Sequence, residues 1–443
     1  MRDPTSYIPD RTSTVSETVT NFELQFDSFL AAGAGVSSTR MKSGDLTRMS
    51  KWTWFVVFFS RLMLNLAVRV TYPFLPAIAR GLGISFQQAG ILVAARHCVG
   101  LTGALWGVVS ERRGYGWGMM LGLTTLIFGA LTVSFSKSFT IALVGFVLIG
   151  ISKPVYDPSV QAFVSSRIPY SNRAKALGIL EASWAGSWLL GIPLSGLLIA
   201  HFGWQSPFSL ISISTLLAIF WTTRLEDVTL TNQASIKNAE QNLSAASEVP
   251  TGKLGPILIL GVSLLMVFAN ENMVIVYGAW LEEQFNLRVQ ELGFFSILVG
   301  VAELGGELTV VALVDRIGKR KAILGGLALT GLSYVALPFC QRSIYLAAVG
   351  LVCMFFLFEF TIVSIFPYVS EMVPTERGKW LAFNYTALVI GRLCGALSGP
   401  WLWQRSTNIL YLVIASLVVQ ALAIVLLLSS RNRKNATDLG LGE

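Results

Sequence analysis

Twelve apolar stretches, each long enough to be a helix, punctuate this chain, and they decide its solvent before any motif is read. They lie near 52–79, 86–108, 117–136, 139–163, 174–200, 207–223, 254–282, 290–313, 320–339, 343–369, 378–403 and 408–429. Most reach or exceed the ~20 residues that cross a hydrocarbon core at a rise of about 1.5 Å per residue. Apolar residues make up 53% of the sequence and charged residues 13%, about half the ~25% usual in soluble domains. At a mean hydropathy of +0.63 over 443 residues, one water-facing globule could not hide so much apolar surface, so lipid is the expected solvent. Lipid offers the backbone no hydrogen-bond partners, which leaves helices or closed barrels. The aromatic and Gly-rich runs lack the alternation of barrel strands. The expected fold class is therefore an all-α membrane protein with twelve transmembrane helices.

Charge then orients the spans. If both ends lie inside, the inner loops hold fourteen basic residues, among them Arg112, Arg113, Arg173, Lys175, Arg316, Lys319, Arg320, Lys321, Arg377 and Lys379. The outer loops hold five: Arg80, Lys137, Arg288, Arg342 and Arg405. This positive-inside bias predicts a multi-pass inner or plasma membrane protein with cytoplasmic termini. It also accounts for the net charge of +8 without nucleic acid. The four cysteines, Cys98, Cys340, Cys353 and Cys394, lie in or beside apolar runs without CxxC spacing, which predicts packing thiols rather than a disulfide or metal site. Residues 1–50 are Ser- and Thr-rich without signal-peptide order and read as a disordered cytosolic tail, with Met41 or Met49 as alternative starts. Residues 224–253 are polar and read as a flexible cytosolic linker, and 431–443 as a second tail. The linker splits the helices into bundles 51–223 and 254–430, six helices each.

The two bundles repeat one pattern. "VSERRGYG" at 109–116 follows the second segment as "LVDRIGKR" at 313–320 follows the eighth. A constant offset of 204 carries Glu111, Arg112 and Gly114 onto Asp315, Arg316 and Gly318. The same offset carries Gly122 onto Gly326, Arg173 onto Arg377 and Lys175 onto Lys379. Pro169 has a counterpart in Pro374, one register away. Such six-helix duplication is common in secondary transporters and predicts two pseudo-symmetric bundles.

These residues give the chain its resemblance to the major facilitator superfamily, over residues 51–430. The family's loop motif G-x-x-x-[DE]-R-x-G-x-[RK]-[RK] stands here as "GVVSERRGYGW" from Gly107, with Glu for the usual Asp and without the last basic pair. The second copy, "VALVDRIGKRK", keeps the acid and the basic residues but has Val311 for the leading Gly. The resemblance implies that Glu111, Arg112, Asp315 and Arg316, in motifs that also include Gly107, Gly114 and Gly318, brace the inner helix ends when the protein faces outward. The alternative is a purely topogenic loop charge. "GILEASWAGSWLLGIPLSG" at 178–196 is similar to the fifth-helix pattern of drug/proton antiporters, although Ile192 separates Gly191 from Pro193. Gly186, Gly191, Pro193 and Gly196 there, and Gly395, Gly399 and Pro400 in "GRLCGALSGP", are expected to form packing seams that slide during gating. The family's fourth-helix arginine is absent, its place taken by Gly145, so a proton relay through that side chain is not expected.

Charges within the spans are the best guide to mechanism, because each costs at least ~2.5–3.5 kcal/mol at the helix centre. Arg61, Asn65, Arg69 and Tyr72 step by 4, 4 and 3 and share one helix face. Arg61 lies ~13 Å in from the inner end, where structure or snorkelling is expected of it. In the family's fold the first helix faces the cavity, so Asn65, Arg69, Tyr72, Arg96, Glu271, Glu359 and Arg392 are the expected cavity residues; His97 lies at a depth comparable to Arg96. Glu181 and Glu303 are the first candidates for proton carriers, followed by Asp157 and Glu307, since a desolvated carboxyl binds a proton near neutrality. Each could instead be a salt-bridge partner of a buried arginine. Lys153 and Asp157 are four apart, with Pro154 and Pro158 expected to bend the helix. The run "FFLFEF" at 355–360, with Trp184 and Trp188, could line a greasy pocket around Glu359, but most of these rings are expected to face lipid.

No HExxH, GxSxG or P-loop occurs, and His97 and His201 are the only histidines, so an enzyme or ATP-driven pump is not expected. The expected function is secondary active transport of a small, amphipathic or zwitterionic solute by alternating access, as proton-coupled efflux. No cofactor beyond an ion gradient is expected, with H+ as its ion. The expected partners are a small-molecule substrate and the lipid bilayer, for a chain acting as a monomer. Solute uptake by symport, lysolipid or glycolipid flipping, and a transporter-derived sensor or scaffold remain alternatives.

Overall fold

The computed structural model describes residues 49–169, 172–225, 254–373 and 376–438. All but the last two residues of the tail expected over 1–50 and nearly all of the linker expected over 224–253 lie outside them, as do Pro374 and the last five residues. Every described regular element is a helix.

Twelve rods follow one another in chain order. The first, α1, is Lys51–Arg69 bent by 56° into Thr71–Leu82. The sequence places one apolar segment over 52–79; within it Pro73 has no N–H and its ring crowds the Arg69 carbonyl four residues back, so the axis turns there. The second, α2, is Phe86–Val99, a 3₁₀ turn at Gly100–Thr102, then Gly103–Arg113. Next come α3 (Tyr115–Ser134) and α4 (Phe139–Arg167), the latter helical through both Pro154 and Pro158. In α5, Arg173–Gly186 runs through a widened π turn at Ser187–Gly191 into Ile192–Phe202. The turn lies where Pro193 withholds its N–H from the preceding carbonyls. The first half ends with α6 (Ser206–Thr222).

The second half holds α7 (Leu254–Val274, redirected into Tyr277–Phe285), α8 (Val289–Ile317), α9 (Lys319–Ala336), α10 (Ile344–Met372), α11 (Arg377–Ser406) and α12 (Ile409–Asp438). The last helix extends past the end expected at 429 into the segment read as a tail. Among the described residues nine helices are long and apolar enough to span a membrane, and the bent α1 makes a tenth. The interrupted α2 and the 17-residue α6 complete the expected twelve. Large apolar side chains stay exposed around the bundle, among them Phe128, Leu190, Leu216, Leu332 and Val349, as a lipid-facing surface requires.

The repeat is visible in the backbone. Gly114 ends α2 at φ 98°, ψ 146°, and Gly318 ends α8 at φ 86°, ψ 131°. L-residues avoid that region, so the motif glycine makes the same abrupt helix-to-helix turn twice. Between the halves, α2 packs on α11, α5 on α8, and the second part of α1 on the second part of α7. Away from the basic loops this seam is shut. A Cβ on Gly293 would stand 3.2 Å from the Gly196 Cα, and one on Gly90 2.7 Å from the Ala396 carbonyl. Arg80 pairs with Glu282 at 2.8 Å across the same edge, and the Gln87 amide donates to Gln404 Oε1 at 2.9 Å. Toward the basic loops the halves part around a cavity of about 1040 Å³.

Candidate functional site

The cavity reaches from mid-bilayer, at Tyr72, Trp188 and Phe355, to Phe58, Gln161, Val311 and Phe366 near the basic-loop face. Three charge groups line it, each assembled from several helices. Arg61 is 3% exposed, with Nε 3.2 Å from Asp157 Oδ1 and Nη2 2.8 Å from Glu181 Oε1. Lys153 joins the group, 2.7 Å from Asp157 Oδ2, and donates to Asn65 Oδ1 at 2.9 Å. Asn65 in turn donates to Ser183 at 3.2 Å. Arg61 therefore does not snorkel; it clamps α1 to α4 and α5 within the first half. Glu181, expected to be desolvated, is 52% exposed and tied to that arginine.

A second group crosses the seam. Arg69 Nη1 and Nη2 meet Glu303 Oε1 and Oε2 at 3.1 and 2.7 Å, a bidentate pair between α1 and α8. Trp188 Nε1 donates to the same carboxylate at 2.9 Å. The guanidinium lies 3.5 Å from the Trp184 ring centroid and 4.6 Å from that of Trp188. Such stacking adds on the order of 2 kcal/mol in a desolvated site. Of the two functions expected for Arg69 and Glu303, the geometry supplies the ion pair directly.

The third group sits where α2, α7 and α11 meet. Arg96 Nη1 donates to the Val68 carbonyl at 2.7 Å and to Thr71 at 2.6 Å, across the bend of α1. His97 lies 3.6 Å from Glu271 on the other half and 3.3 Å from the Tyr72 hydroxyl. Tyr72 therefore leaves the polar stripe of α1 at the bend and joins this group instead. Arg392 lines the same end of the cavity and makes no ion pair or hydrogen bond among the described residues.

Glu307 and Glu359 complete the wall on α8 and α10, also without an ion pair or hydrogen bond among the described residues. Gly306 lets the two helices close here, since a Cβ on it would stand 2.9 Å from that of Glu359. The rings around them are not lipid-facing as expected. Phe355, Phe358 and Phe360 are buried, as is Trp188, and Phe355, Phe358, Trp184 and Trp188 line the cavity. The run spirals around α10, and its inner stripe meets the other helices rather than the acyl chains. Conversely, Cys98 and Cys353 are exposed rather than packed.

At the basic-loop face, Asp315 is 85% exposed and stands 3.7 Å from Lys319, one turn away, while Arg316 is exposed. The tie between helix ends is made by neighbours the sequence reading passed over. Lys319 Nζ lies 2.5 Å from Glu371 on α10, and Arg320 donates to Ser430 at 2.9 Å and to the Leu427 carbonyl on α12. In the first copy Arg112 is exposed, Gly107 borders open space, and the Glu111 side chain lies outside the described residues. A basic residue next to a helix start was the available signal for Lys319 and Arg320. The acid that receives Lys319 is 52 residues distant and carries no local mark.

The small residues divide by partner. Gly186 and Gly191 face Leu62 and Leu66 of α1, Gly196 and Pro193 face Gly293 of α8, and Pro400 faces Gly90 of α2. Gly395 and Gly399 admit Glu271 and Asn272 of α7 within their own half. At Gly145 a Cβ would stand 2.6 Å from Val133 Cγ2 and 2.9 Å from the Gly129 carbonyl, so α3 occupies the space an arginine would need.

Two stretches, 54–269 and 259–442, match the model of the Major Facilitator Superfamily. The chain is 25% identical to the uncharacterized MFS-type transporter YceJ of Bacillus subtilis (strain 168), covering 81% of this chain and 90% of that one. It is 22% identical to Multidrug resistance protein 2 of the same organism, over 84% and 94%. In architecture it is similar to a D-xylose-proton symporter, with a TM-score of 0.69 at 13% identity over 86% and 97% of the two chains. Twelve helical segments in two repeated halves, a mid-membrane cavity and these matches agree: the chain belongs to the major facilitator superfamily and is a multi-pass membrane transporter, not an enzyme.

Proposed function

We propose that this transporter is a secondary active, proton-coupled exporter of a small amphipathic organic solute, working by alternating access. The observation that carries this reading is the cavity, sealed on one face and open on the other, whose aromatic wall holds two carboxyls, Glu307 and Glu359, with no counter-charge in contact. The positive-inside pattern assigns the open, basic-loop face to the cytosol, so the state seen is the one that loads solute from within. Relatives named as multidrug resistance proteins support the outward direction.

Proton coupling follows from the cost of charge in a wall of low dielectric. An ionised carboxyl without a partner is expensive there, and protonation removes that cost. Glu307 and Glu359 can take a proton without breaking an ion pair. Glu303 must first release Arg69, which makes its protonation a signal that the halves can part. Glu181, half exposed and paired with Arg61, is the weaker carrier.

Proteoliposomes with an imposed pH gradient and a panel of amphipathic cations, anions and neutral solutes test the proposal. The expected result is accumulation of solute in an acidic lumen, accompanied by lumen alkalinisation and abolished by collapsing the gradient. Solute and protons moving in the same direction would replace export by symport; lipid scrambling without solute flux would replace both. Glu307→Gln together with Glu359→Gln is expected to leave solute exchange intact and to uncouple it from the gradient.

A further inference from the structure

The α2–α7–α11 end of the cavity carries more hydrogen-bond donors than the protein itself can use. Arg392 offers five N–H groups, and none of them makes a hydrogen bond or ion pair among the described residues. Behind it Arg96 spends Nη1 on the Val68 carbonyl and Thr71, while its Nε and Nη2 are buried without a partner. The two guanidiniums lie within electrostatic range of one another, so each raises the cost of the other. A single carboxylate, Glu271, stands near both. It forms no ion pair with either arginine, the His97 ring standing nearest at 3.6 Å, and its Oε1 has no hydrogen-bond partner among the described residues.

Gly395 lies one turn along α11 from Arg392, and a Cβ there would meet the Glu271 Cβ at 2.5 Å. The α7 backbone is thus held against α11, and Glu271 lies 3.6 Å from His97 while making no ion pair with Arg392 among the described residues. A buried guanidinium without an acceptor is costly, and a planar carboxylate is the group that satisfies it with two parallel hydrogen bonds. In the same cavity, Phe355 and Phe358 offer an apolar wall for the rest of the molecule.

We propose that the polar end of the transported solute is a carboxylate, bound by Arg392, with the unused donors of Arg96 engaging it as the site closes. This deepens the exporter reading and rests on the cavity being its solute site. Glu307 and Glu359, on α8 and α10, make no ion pair with Arg392 among the described residues, although Glu359 lies within electrostatic range of it.

Calorimetric binding to the detergent-purified full chain, with no gradient present, tests it. The probes are 1-naphthoate and octanoate, each beside its neutral amide and the corresponding primary amine. The carboxylates are expected to bind roughly 10- to 100-fold more tightly than their amides, the range set by hydrogen bonds to a charged group. Arg392→Gln is expected to remove that preference, and an unchanged thermal unfolding midpoint shows that the variant is folded. Arg392→Lys restores part of the preference, because it returns charge without the fork. Carboxylate and amide binding alike, binding of none of the six, or amines binding best would overturn the proposal, the last pointing to the Glu307–Glu359 wall. Because binding is read without flux, failure of proton coupling in vesicles leaves this result standing, and the reverse also holds.

Discussion

A guanidinium at mid-bilayer is unfavourable unless it is paired, and Arg69 meets that condition with Glu303 and two indole rings together. Arg69→Ala strands the carboxylate in a nearly dry site, at a cost of about 3–5 kcal/mol. The expected outcome is a large fall in the thermal unfolding midpoint in detergent for Arg69→Ala and for Glu303→Ala alone. The double substitution to Ala at both positions should lose less than the sum of the single changes, because no charge is left alone. Equal, additive losses would show that the pair is not coupled. Gly145 makes a separate residue-scale prediction. With Val133 and the Gly129 carbonyl already at contact, Gly145→Ala should destabilise by ~1–3 kcal/mol, read as a lowered midpoint, and Gly145→Arg should fail to yield folded protein.

Among the elements, the turn after α2 and the turn after α8 are one device used twice. Gly114→Ala and Gly318→Ala each force a Cβ into backbone space that costs about 1–3 kcal/mol, and both should weaken the protein by similar amounts. A loss at only one site would show that the copies have diverged in load. The α5–α8 seam predicts a conformational rather than a purely energetic effect. At Gly293 the backbones of α5 and α8 approach so closely that a side chain has no room. Gly293→Val should hold the sealed face apart, lengthening the distance between spin labels at 82 and 285 measured by electron–electron resonance. An unchanged distance would mean that this crossing does not set the closure.

At the scale of the whole molecule, the matching halves place both motif turns on one face. A cysteine at position 115 and one at 319, in a chain cleared of its own thiols, should react with an impermeant reagent from the same side, and one at 137 from the other. Labelling of 115 and 319 from opposite sides would dismantle the architecture. That much was legible without coordinates, because span length, loop charge and the 204-residue offset are local properties that lipid and the insertion machinery read directly. The polar residues of the site were legible too, as costly exceptions within apolar runs. Their partners were not. Nothing near Arg61 in the chain distinguishes it from Arg69, yet one is clamped within its own half and the other is the latch between halves. Nothing in "FFLFEF" tells a ring that meets lipid from one that meets the cavity. The bend at Pro73 diverts Tyr72 from the stripe its spacing suggested, and Arg392 makes no ion pair among the described residues. The sequence alone determined that helices must form, how many, and which carry charge, since those follow from the energy of one segment in one solvent. Which charges meet, and which remain open to a solute, only the tertiary structure decided, because that depends on how separate helices approach one another through space.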